Sequence, residues 1–107
     1  MEKNYKFTFG SEKAIEKIVD DYGEFNEIQI NHVTLLKGDG LPVHQANANV
    51  YLLILKGIMT AAFNEMHSKA YSVGEIINVP KNTQMDIRNM EDQVLDFMIV
   101  KAFPKEV

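Results

Sequence analysis

The chain has 107 residues, no cysteine and a formal net charge of −4. That length suits one domain, residues 1–107, and leaves no room for a second core. It excludes disulfides, thiolate metal sites and cysteine nucleophiles. The basic residues are ten lysines and one arginine, Arg88; a nucleic-acid surface needs a clustered basic patch and favours arginine, so no nucleic acid is expected. No apolar run approaches the roughly 20 residues that span a bilayer, and no membrane association is expected. The polar start "MEKNYKFTFGSEKAIEK" is unlike a secretory signal. A soluble, cytoplasmic protein is the expectation.

In chain order, "NYKFTFG" alternates Tyr5, Phe7 and Phe9 and ends at Gly10, as a short strand does. The segment "SEKAIEKIVDD", residues 11–21, is open between two readings. Ala14, Ile15, Ile18 and Val19 have helical spacing behind a capping Ser11, and a bulged strand fits as well. From there the pattern is all-β. "EIQINHVTLL" alternates, "KGDGLP" is a turn, and "VYLLILKG" is apolar on both faces. "IMTAAF" and "AYSV" flank "NEMHSK" as a hairpin, "EIINV" is a strand ended by Pro80, and "QMDIRN" and "VLDFMIVKA" flank "MEDQ" as a second hairpin. In "VYLLILKG", Val50, Leu52 and Ile54 share one face and Tyr51, Leu53 and Leu55 the other. One face fills a barrel; the other is expected to be covered by a second subunit, so a homodimer is expected.

Two stretches carry a family pattern. Gly38 is followed after five residues by His44, then by Ala46, Val50 and Gly57; Gly74 is followed after five residues by Pro80, then by Asn82, Met85 and Asn89. Sixteen residues lie between Gly57 and Gly74. This framework, over about residues 26–102, resembles the two motifs of the cupin superfamily. The resemblance implies an all-β, double-stranded β-helix, a jelly-roll-like cupin β-barrel, here with one short N-terminal helix as an option. The glycines fall at turns where positive φ is needed, and Asn82 stands where the family has another glycine.

The resemblance also implies a metal held by three histidines and a glutamate. Carried over by position, only His44 matches; Ala46, Val50 and Met85 stand at the other three places. A thioether is a weak ligand that suits soft copper, and about three protein ligands are the usual minimum for a catalytic site. No metal or other cofactor is therefore expected. Were a divalent ion bound, His44 with a mid-strand His32 facing inward would be the donors. His67 is expected in solvent, and Asn47 and Asn49 on the face away from His44.

The candidate pocket comprises His44, Gln84, Met85, Asn89, Val50 and Ala46, an apolar surround with a few polar anchors. It would suit a small, largely neutral molecule. Enzyme chemistry has little support: no serine lies in a nucleophile motif, Asp86 alternates away from Met85, and Asp96 with Arg88 would be a surface ion pair across the second hairpin. The expected role is binding, accessory or sensing. The alternatives are a small metal-dependent isomerase or dioxygenase using His44 with non-standard ligands, and an interaction module with a packed barrel.

Overall fold

The computed structural model describes residues 15–22 and 26–104. Nine strands carry the fold: β1 (Ile15–Tyr22), β2 (Asn26–Leu35), β3 (His44–Gln45), β4 (Asn49–Lys56), β5 (Ile58–Phe63), β6 (Lys69–Ser72), β7 (Ile76–Val79), β8 (Gln84–Arg88) and β9 (Leu95–Pro104). No helix occurs among the described residues. The helical option for residues 11–21 is corrected over its described part: Ile15–Tyr22 is a strand paired along its whole length with β2. Pairing to a neighbouring strand overrides a local spacing that suited either state. The expected strand over "NYKFTFG" lies outside the described residues.

Two antiparallel sheets form the barrel, one in the order β1-β2-β9-β4-β7 and the other β3-β8-β5-β6. The core draws on both, with Val33, Leu52, Ile54, Phe97 and Ile99 from the first and Met59, Ala61, Met85 and Ile87 from the second. Alternation places each inward set. On β4, Val50, Leu52 and Ile54 are buried while Tyr51 is exposed and Leu53 and Leu55 are half-buried. A bulge between Ile54 and Lys56 shifts the register against β9.

The hairpin over "NEMHSK" forms as β5–β6. The second hairpin does not. Strand β8 pairs with β3 and β5, and β9 pairs with β2 and β4, so "MEDQ" carries the chain from one sheet to the other. A short polar turn between two alternating runs has the same sequence signature whether it folds a hairpin or crosses between sheets.

Gly38, Gly57, Gly74 and Asn82 all have positive φ. Gly57 is the most constrained: a Cβ there would collide with the Val94 carbonyl oxygen. Asn82 adopts φ 74° at the turn into β8. Its N–H donates to Ala46 O at 2.7 Å, and Ala46 N–H donates to Thr83 O at 2.8 Å. These bonds extend the β3–β8 pairing beyond Gln45 and hold Ala46 beside the start of β8.

Candidate functional site

Chain crossings define one end of the barrel. Val50 follows Ala46 by four positions and Met85 follows Val79 by six, so both passages between the sheets lie at the end where Val50 pairs with Val79. At this mouth His44 stands directly opposite Met85, and Met85 in turn opposite Phe63. Opposed residues of an antiparallel pair share a face, and Met85 is in the core, so His44 belongs to the inner face of its sheet.

His44 nevertheless reaches solvent at the rim. Its Nδ1 lies 2.8 Å from Pro42 O. A carbonyl can only accept, so Nδ1 carries the proton and donates. In the neutral ring Nε2 is then a free acceptor at the mouth. Below it, Ala46, Val50 and Met85 are buried in the core cluster, at no more than 3% exposure each. The three positions where the resemblance places further metal ligands form an apolar floor.

The other predicted residues go elsewhere. Gln84 lies on the opposite face of β8 from Met85. It lines an open depression of about 190 Å³ on the outside of the four-stranded sheet, with Val43, Ala62, Glu65, Met66 and Asp86. Asn89 is buried and fully engaged with backbone: Nδ2 donates to Leu35 O and Gln93 O, and Oδ1 accepts from Glu91 N. It holds the crossing from β8 to β9. Asn49 bonds Asn78 and Tyr51 on the outer face of β4, turned away from His44 as alternation requires. His67 is exposed.

His32 does not face His44, which corrects the inward expectation. It alternates with the core residues Val33 and Leu35, so it points to the other face of the five-stranded sheet. There it is 2% exposed, and its Nε2 donates to Asp96 Oδ1 at 3.2 Å. Thr34 Oγ1 donates to the same oxygen at 2.5 Å. Asp96 is thus a buried centre rather than half of a surface pair with Arg88. Arg88 Nε instead donates to Asp86 Oδ1 at 2.9 Å. That hydrogen bond, with the carboxylate's charge, raises the guanidinium pKa above its ordinary value.

The donor set does not fit the metal centre that the fold family implies. His44 is the one strong donor among the four positions. Among the described residues no group of three or more His, Cys, Asp or Glu side chains is placed to hold an ion.

Four residues of the mouth were not picked out from sequence. Phe63 and Tyr71 meet edge to face, with centroids 6.3 Å apart. Lys101 and Asn31 lie on the inner face of the five-stranded sheet. Lys101 is opposite Val50 and Gln29, and Asn31 is opposite Ile99. The signal was present in "LDFMIVKAF", where Lys101 falls in the alternating series Leu95, Phe97, Ile99.

No family model matches the chain. An uncharacterised protein of Methanocaldococcus jannaschii is 37% identical over 109 residues, covering 100% of this chain and 90% of that one. The crystal structure of that same protein, described as an RmlC-like cupin family protein with a double-stranded β-helix fold, superposes with a TM-score of 0.79 at 35% identity, over 95% of this chain and 91% of that one. A cupin-2 domain containing protein from Shewanella frigidimarina shares the fold at TM-score 0.64 and 15% identity, over 91% of this chain and 85% of that one. The fold is the double-stranded β-helix, and the chain belongs to the cupin superfamily.

Proposed function

We propose that the protein is a metal-free cupin that binds a small, largely neutral molecule at the barrel mouth, in an accessory or sensing role. The observation that carries this is His44. It is fixed by Pro42, it presents an unengaged Nε2 at the rim, and it stands over the apolar floor of Ala46, Val50 and Met85. An apolar surface with one or two oriented polar groups is the usual form of a small-molecule site. A fold alone assigns no activity, so the role rests on this constellation.

The protein acts as a cytoplasmic homodimer in this reading. The outer face of the five-stranded sheet carries Ile28, Ile30, Leu53, Met98 and Val100, all half-buried, with Tyr51 exposed and Ile76 65% exposed. A second subunit would cover it.

A thermal-shift screen of small metabolites, uncharged or singly charged, in metal-free buffer tests the binding role, through ligand linkage. At least one compound is expected to stabilise the wild type and not His44→Ala. A full screen without a His44-dependent shift would overturn it.

One observation favours a second reading, an interaction module with a packed barrel: Val50 is fully buried and Met85 nearly so. The same screen separates the two, because a packed module gains nothing from any small molecule.

A further inference from the structure

We infer that the molecule taken at the mouth carries a single carboxylate on an apolar or aromatic body, and that Lys101 receives the charge. This rests on the mouth being a binding site. Along β9 the inner face reads Phe97, Ile99, Lys101, and the first two are core residues. Lys101 is the next step outward on that face. It is half-buried between Gln29 on β2 and the fully buried Val50 on β4.

Among the described residues Lys101 makes no ion pair or hydrogen bond. Asp96 and Asp86, the strand carboxylates whose side chains are described, are on other faces. Asp96 is held by His32 and Thr34 on the far side of the sheet, and Asp86 by Arg88 on the outside of the other sheet. The Lys101 stem is covered while the ammonium reaches solvent at the rim, open to an anion. On the same wall, one strand over and one step deeper, Asn31 Oδ1 is buried with no hydrogen-bond partner. A buried oxygen without a partner, below an unpaired ammonium on the same inner wall, marks where a ligand completes the structure. An anion is disfavoured by the chain's overall charge and admitted at this point by Lys101.

The wall of the other sheet sets the body of the ligand. His44, Met85 and Phe63 form one row across three strands, and Tyr71 meets Phe63 edge to face. Thioether and ring edges suit a flat apolar group. His44 Nε2 would accept from a donor on that group. Lys101 is the one ammonium on this wall among the residues whose side chains are described, and a single ammonium matches a monoanion rather than a multiply charged phosphate.

Benzoate and its uncharged isostere benzamide are the probes, read by thermal shift on the untagged full chain in buffer free of other carboxylates. Benzoate is expected to raise the melting temperature saturably and to bind at least tenfold more tightly than benzamide. Lys101→Met should abolish that preference and Lys101→Arg should retain it. Without ligand, Lys101→Met should melt at or above the wild-type temperature, since it removes an unpaired half-buried charge. A clear drop instead would show that the protein itself neutralises Lys101 and would overturn the inference. Equal binding of benzoate and benzamide would overturn the charge assignment and leave the mouth as a neutral site. Binding of neutral metabolites alone would do the same. Failure of every compound, charged or not, would remove the binding reading and this inference together.

Discussion

His44 and Met85 are directly opposed across β3 and β8, yet one is exposed and the other is buried in the core. The step from solvent to core takes one strand spacing. It separates the two residues energetically as well as chemically. His44→Ala is expected to change stability by less than ~0.5 kcal/mol, as surface substitutions do. Met85→Ala is expected to cost about 2–4 kcal/mol through lost transfer energy and the cavity left behind. Urea denaturation of the two variants measures both values.

Asp96 ties β9 to β2 from within. It accepts from His32 and Thr34 while fully buried, so Asp96→Ala strands two polar groups at once. The expected loss is about 3–5 kcal/mol, in the range for breaking a buried charged pair. Thr34→Val, which removes one donor and keeps the shape, should cost clearly less. Denaturation midpoints of the two variants give the comparison.

Gly57 and Gly74 offer a matched test of backbone against sterics. Both have positive φ, but only at Gly57 would an added Cβ strike backbone, the Val94 carbonyl. Gly74→Ala should cost about 1–2 kcal/mol, the left-handed penalty alone. Gly57→Ala should cost at least ~2 kcal/mol more, because the turn must also move away from β9. Melting temperatures in one buffer suffice to rank them.

Much of this was legible in the sequence, for definite reasons. The strands after residue 26 follow from period-two alternation and turn residues, and the positive-φ positions follow from glycine and Asn82 at motif spacing. Ala46, Val50 and Met85 were read as pocket lining, and all three are buried in the core cluster. Partner choice between sheets was not legible. "MEDQ" looks alike as a hairpin or a crossing, so Asp96 was set beside Arg88 when register places it beside Thr34. His32 was ambiguous because alternation gives two faces without saying which is the core. Asn89 was read toward the pocket, and its three backbone bonds depend on residues 54 positions earlier and up to four later. Lys101 was visible as an interruption of an apolar series, but its neighbour Val50 is known only from strand order.

The proposed dimer makes its own prediction. Tyr51 and Ile76 are exposed on the outer face of adjacent strands β4 and β7. Replacing both with lysine should leave the subunit folded and convert dimer to monomer, as measured by light scattering after size exclusion. A double variant that stays dimeric would place the interface elsewhere.

In this protein an apolar floor stands where the family has metal donors, so the decisive measurement is elemental analysis of untagged protein dialysed against trace-metal-free buffer. Iron, manganese, zinc, nickel and copper are each expected far below one equivalent per chain. About one equivalent of any of them, lost on His44→Ala, would show instead that His44 has ligand partners beyond Ala46, Val50 and Met85.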